Sequence, residues 1–304
     1  MIRPFMPRFG DRLLEALVFD VPLPSMRVLA DGHAARHPAS ILRRALDFKL
    51  TLSPILRHMP IPSSTSTAVT VHTQPDLTRA DASIIAVSEF QVGGADQQQA
   101  LFEASRSAWD TLPWPETLLS IAWLASLDGQ SALAYVQWRD ESGFEAYGRT
   151  HRPILAAHLK AAMPTLAPAA PVFYRRYRSG TRPDAPEPGC LVAVSVEFDG
   201  PDEARQRAWV DAVFDALASE PEPPAGGIGA HFHVSTDGTR VLNYAEWVDE
   251  ASHIAALERS GIGAIGSGPK WRAVQTFPGL KESRVTRYRL DRRLVPASAA
   301  GASA

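Results

Sequence analysis

One string of residues occurs twice in this chain at a fixed spacing, and that repetition limits the architectures open to it. Tyr135, Trp138, Asp140 and Glu141 return as Tyr244, Trp247, Asp249 and Glu250, each 109 positions later. The turn ahead of them returns as well: Ser126-Leu127-Asp128-Gly129 and Ser235-Thr236-Asp237-Gly238 share three of four residues. Ala86-Val87-Ser88 returns as Ala193-Val194-Ser195, two residues short of that spacing, as a small loop insertion would produce. Agreement across a turn, a strand and a helix cap marks an internal repeat.

Each copy carries the same alternation of periods. Ser83–Gln91 reads as a strand and Asp96–Leu112 as a helix. Thr117–Ser126 and Ser131–Trp138 form a hairpin about Asp128-Gly129. A helix from Asp140 to about Leu159 is divided by Pro153, and Val172–Arg178 is a final strand. The second copy follows with strand Cys190–Phe198, helix Glu203–Ser219, the hairpin, helix Glu250–Arg259 and strand Glu282–Leu290. A βαββαβ unit makes an antiparallel sheet with both helices on one face, so its bare face needs a cover. The expected fold is therefore α+β: two fused ferredoxin-like repeats packed sheet to sheet as an intrachain pseudo-dimeric barrel. The expected boundaries are an N-terminal extension at 1–58, a flexible leader at 59–81 and a first, degenerate repeat at 82–180. A Pro/Gly linker at 181–189, a second repeat at 190–291 and a disordered Ala/Ser-rich tail at 292–304 complete the plan. Met59, followed by a Pro/Ser/Thr run, is a candidate natural start.

The second hairpin, Gly229–Trp247, is the most informative segment. Asp237-Gly238 suits a two-residue type I′ turn, in which Thr236 faces Thr239. Phe232 then lies opposite Asn243, His231 opposite Tyr244 and Ile228 opposite Trp247. One face carries Ile228, Ala230, Phe232, Val234, Val241, Asn243, Ala245 and Trp247, and should look at the helices. The other carries His231, His233, Leu242, Tyr244 and Glu246, and should look at the sister sheet. Asn243 is an amide on an otherwise apolar face. It needs hydrogen-bond partners, from the protein or from something bound there. The first repeat has Ala134 at that point, on a wholly apolar face.

Composition removes several classes of function. With 304 residues and 45% apolar content, the chain can hold two cored units. A net charge of −2 gives no electrostatic footprint for nucleic acid. The single cysteine, Cys190, forbids an intramolecular disulfide and a cysteine-rich metal site, and fits a cytoplasmic protein. The N-terminal apolar stretch Leu13–Leu29 is interrupted by Glu15, Asp20, Pro22, Pro24 and Arg27, so no membrane span is expected.

The Asp-Gly turn followed by Asn-x-x-x-Trp, here Asn243-Tyr244-Ala245-Glu246-Trp247, resembles the antibiotic biosynthesis monooxygenase family. That family folds as dimeric α+β barrels and includes small oxygenases of aromatic polyketides that need neither flavin nor metal. The resemblance covers about Ala82–Leu290. It implies a pocket between sheet and helices in which Asn243 and Trp247 act on substrate. It also implies no cofactor, molecular oxygen as co-substrate and an aromatic small-molecule ligand, with a homodimer of the two-repeat chain as a further option. Where the family tends to carry a tyrosine, six residues past the Trp, this chain has His253 in the second repeat and Phe144 in the first. His253, near its reference pKa, is then the candidate acid/base. Phe232, Trp209 and Tyr244 are candidates to hold a flat polycycle. The related haem-degrading branch is disfavoured, because Leu257 and Gly148 stand where its haem-ligating His would be. A non-redox cyclase-like enzyme and a non-catalytic ligand-binding barrel are the competing classes.

Three further patterns are read as bland. Gly261-Ile262-Gly263-Ala264-Ile265-Gly266 fits G-x-G-x-x-G but follows a helix, so a mobile loop is expected instead of dinucleotide binding. His231-x-His233 with Glu246 could be drawn as a metal site, but a hydrogen-bonded core cluster is favoured and no metal is expected. Arg/Tyr alternation in Phe173–Arg178 and Arg284–Arg289 is read as a solvated strand edge.

Overall fold

The computed structural model describes residues 67–167, 169–220, 222–258 and 268–297. The N-terminal extension, the candidate start at Met59, the glycine loop over 261–267 and the last seven residues lie outside them. Nine strands and six helices are described. In chain order they are β1 (Ala68–Val71), β2 (Ile84–Gln91), α1 (Ala95–Trp109), β3 (Leu118–Ser126), β4 (Ser131–Trp138), α2 (Glu141–Thr150), α3 (Arg152–Ala162) and β5 (Val172–Thr181). There follow β6 (Cys190–Phe198), α4 (Glu203–Leu217), β7 (Gly227–Ser235), β8 (Arg240–Trp247), α5 (Glu250–Glu258), α6 (Pro269–Gln275) and β9 (Leu280–Pro296).

The fold is α+β, with a closed antiparallel eight-strand barrel. Around the ring the order is β9-β3-β4-β2-β5-β7-β8-β6, and β6 pairs back to β9. Strand β1 adds outside the ring, on the C-terminal end of β9. The four strands β2–β5 lie in the order β3-β4-β2-β5, and β6–β9 in the order β7-β8-β6-β9. The last strand of each group pairs with the second strand of the other, which closes the ring. Closure leaves no ring strand with an open edge.

Period-two patterning then sorts side chains inward and outward. Ile85, Val87, Leu124, Leu133, Tyr135, Leu191, Leu242, Tyr244 and Tyr288 pack in the barrel interior. Their neighbours on the same strands point out beneath the helices. Strand β3 is buried at all nine positions, because the interior covers one face and α1 the other. Pro153 divides the helical stretch into α2 and α3, joined at His151. Gln98 on α1 donates to Ser126 O and Ser131 O; Gln206 on α4 donates to Ser235 O and Arg240 O. Each glutamine thus ties a helix to its hairpin. Gln206→Leu should cost about 1–3 kcal/mol by removing the amide that ties α4 to the hairpin through Ser235 Oγ and Arg240 O; an unchanged urea midpoint would contradict that role.

The structure revises several expectations. Only Gly238 of the turn pair has positive φ, and Gly238 N–H donates to Ser235 O. The loop is therefore not type I′. Asp237 instead accepts from Ser235 Oγ, Thr239 N and Thr239 Oγ1, which fixes the turn through its side chain. The register near the turn is as expected, with Phe232 opposite Asn243 and His231 opposite Tyr244. Farther out a bulge brings Gly227, not Ile228, opposite Trp247. The echo of Ala86 in Ala193 is slipped by one residue. Ala86 faces the helices, whereas Ala193 lies on the barrel side, in register with Tyr244 as Val87 is with Tyr135. Strand β1 falls within the expected leader, and β9 runs past the 291 boundary to Pro296 because the two pair with each other. Helix α6 was not anticipated. Neither β5 nor β9 is an edge: β5 lies between β2 and β7, and β9 between β3 and β6.

Candidate functional site

Asn243 sits midway along β8, paired with Phe232 on β7 and Val194 on β6. Val194 in turn pairs with Val285 on β9. This row lies on the helix side of the sheet, and the apolar packing parts along it. On one side α4 and α6 cover Val196, Phe198, Trp209, Phe232, Val241 and Trp271. On the other, α5 covers Cys190, Val192, Ala245 and Trp247 through Ala256. Partly buried Val194 touches both groups. Val285 is 46% exposed and Leu257, one helical turn beyond His253 on α5, is 45% exposed. Among the described residues the two covered groups thus leave a cleft between them, with a floor that is apolar but for one amide.

The matching region over β2–β4 is filled. There the helix-side side chains form one continuous cluster, with Ala134 in place of the amide. Trp138 packs on Phe144 at 5.7 Å and on Tyr147 at 5.0 Å between ring centroids. Phe144 and Tyr147 stand there at the places that His253 and Ala256 take against Trp247.

The Asn243 amide oxygen is buried and has no hydrogen-bond partner among the described residues. Such an orphan costs about 1–3 kcal/mol. The fold carries that cost in the wall of a cleft, where a ligand donor could remove it.

Asp249 caps α5 by accepting from Ser252 N at 2.7 Å, which sets the helix so that His253 turns inward. The His253 ring meets Trp247 edge-on at 4.9 Å. Arg287, on β9, donates from Nε to His253 Nδ1 at 2.9 Å. A guanidinium can only donate, so Nδ1 is the acceptor and the proton of the neutral ring is on Nε2. Burial, and then the charge of Arg287, push the His253 pKa down to about 4. This corrects the expectation of an imidazole near its reference value. At neutral pH, His253 is an uncharged ring that can offer an N–H.

Five of the six candidate residues share this side of the sheet: Asn243, Trp247, His253, Phe232 and Trp209. Trp209 Nε1 donates to Val274 O, and its ring lies 6.3 Å from that of Phe232. Tyr244 is elsewhere. It points into the barrel, edge-on to Tyr135 at 5.3 Å, and its hydroxyl donates to Gln74 Oε1. Adjacent residues of a strand face opposite ways, so Tyr244 cannot join Asn243. Sequence alone does not single out Arg287, because Arg/Tyr alternation reads as a solvated edge. Its strand is instead enclosed, with Tyr288 inward and Arg287 under α5.

The His231/His233/Glu246 face is a satisfied core cluster. His233 bonds Tyr135 Oη at 3.0 Å and Leu242 O at 3.3 Å. His231 bonds Ser179 Oγ at 3.1 Å and Glu246 Oε2 at 3.3 Å. Among the described residues no group of three acidic, His or Cys side chains is placed to hold a metal ion. Gly229 gives this cluster room: a Cβ there would lie 2.8 Å from Glu246 Oε2 and 3.0 Å from His231 Nε2. Gly229→Ala should cost about 1–3 kcal/mol through that overlap, read as a lower urea midpoint. No helix among the described residues is long and apolar enough to cross a membrane.

The sequence matches no family model and no curated protein. Solved structures do resemble it. An anthrone oxidase-like protein superposes with a TM-score of 0.55 at 17% identity, covering 70% of this chain and 93% of that one. A ferredoxin-fold protein related to antibiotic biosynthesis monooxygenases, from Listeria monocytogenes, has a TM-score of 0.37 at 9% identity, over 71% and 98% of the two chains. A monooxygenase-like protein from Listeria innocua has a TM-score of 0.35 at 11% identity, over 68% and 94%. With the anthrone oxidase-like protein this chain shares a fold.

Proposed function

We propose that the chain is two fused βαββαβ repeats and that the second carries a cofactor-independent monooxygenase site. Its substrate would be an aromatic polyketide intermediate of anthrone type, oxidised to a quinone or hydroxylated product. One observation carries this reading: the Asn243 amide oxygen, buried and without a partner among the described residues, on the same face of β8 as Trp247, which His253 meets edge-on. The shared strand order of β2–β5 and β6–β9 supports the duplication. The shared fold with an anthrone oxidase-like protein supports the reaction class.

The chemistry asks little of the protein. An anthrone C–H loses a proton to give an enolate, which passes one electron to O₂. The substrate radical and superoxide join through a new C–O bond. The peroxide takes up a proton, the O–O bond breaks as the remaining C–H is lost, and a ketone and water leave. Trp247 and Phe232 would hold the flat rings. Asn243 Nδ2 and His253 Nε2 would donate to the enolate or peroxo oxygen, where charge develops. The His253 Nδ1 lone pair is engaged by Arg287, so the proton goes to solvent base instead of to this ring.

Purified, metal-free protein given an anthrone under air tests the proposal. Oxygen uptake equal to quinone formed is the expected result. Product without oxygen uptake would make it a cyclase-like enzyme, and tight binding without product a ligand-binding barrel.

A further inference from the structure

Arg287 is the only cation among the residues argued to line the cleft. Its Nε is used by His253, and it makes no ion pair among the described residues. Strand pairing puts it opposite Val192, one step along β9 from the exposed Val285 and on the same face. Its two terminal nitrogens, four N–H donors in one plane, are left for something else. A partly buried guanidinium without a counter-charge costs free energy, and a planar two-oxygen acceptor fits its free end. Phe232 and Trp247 are buried under the same face of the sheet, one in each of the two flanking groups.

We infer that Arg287 selects a ligand bearing a carboxylate on its aromatic skeleton. The carboxylate sits on the Nη1/Nη2 edge of Arg287 while the rings lie over the Asn243–Val194–Val285 row. His253 positions the guanidinium by fixing Nε, which leaves that edge toward the ligand. This rests on the cleft being a ligand site, as proposed above, and not on the oxidation.

Binding of anthracene carboxylate and of its neutral carboxamide, followed by tryptophan fluorescence in the full chain, tests it without turnover. The carboxylate should bind about tenfold to a hundredfold tighter than the carboxamide, the difference expected of a bidentate charge-assisted pair. Arg287→Gln should reduce that ratio to near one, and Arg287→Lys should keep only part of it, since an ammonium is a point charge. Equal affinities in the wild type, or an unchanged ratio in Arg287→Gln, overturns the assignment. The wild-type comparison decides even if the variant fails to fold. A carboxylate preference without oxygen uptake on any anthrone would remove the oxygenase reading alone. Quinone formation with no carboxylate preference would remove this one alone.

Discussion

Asn243→Leu is expected to lower turnover of an anthrone by about tenfold to a hundredfold while raising the stability of the protein. The two effects come from the two ends of one amide. The amide oxygen is buried and without a partner among the described residues, so the folded chain carries its desolvation cost. Leucine is close in size, needs no partner, and would meet Phe232 and Val194 on the flanking strands. The expected gain is about 1–3 kcal/mol, or a rise of a few degrees in Tm for a unit of this size. Activity falls because the enolate or peroxide oxygen loses its donor. Oxygen-electrode rates and thermal melts on the same preparation measure both. A variant that is less stable and equally active would show Asn243 to be a structural amide.

A drop from pH 7 to pH 5 is expected to remove about 4 kcal/mol of folding stability. Two buried imidazoles are responsible. Burial pushes the His233 pKa down to about 3, and burial with the Arg287 charge pushes His253 to about 4. In the unfolded chain both titrate near the ordinary value, about 6.5. Above about pH 6.5 both states bind the same number of protons, and the full stability is present. Below it the unfolded chain takes up protons that the folded chain refuses until pH 4 or 3, so stability falls as pH falls. At pH 5 each histidine contributes a loss of about 2 kcal/mol. Carboxylates held low by their partners, such as Asp237, begin to matter only at lower pH. Urea titrations at the two pH values read the loss, and His253→Asn should halve it. A stability that is level over this interval would mean that both rings charge freely in the folded state.

The alternation of apolar residues and the Asp-Gly turns made the hairpin and its register legible, because a strand's period and a turn's location are local properties. Asn243 stood out for the same reason, as one amide in an apolar series. The expected duplication rested on the residues of turns and caps, which are constrained by backbone geometry. It misled at Ala86 and Ala193, where small apolar residues suit either face and a one-residue slip leaves no trace in the sequence.

What the chain by itself determined was therefore which residues alternate and which residue breaks the pattern. The tertiary structure decided who meets whom. Closure of the ring enclosed β9 and turned Arg287 from a presumed surface residue into the neighbour of His253. It also sent Tyr244 into the barrel, away from the cleft, and set the His253 ring as an uncharged donor. Those outcomes depend on pairings between strands far apart in the chain and on the loss of water around the groups they bring together. Neither is written in the spacing of residues along one strand.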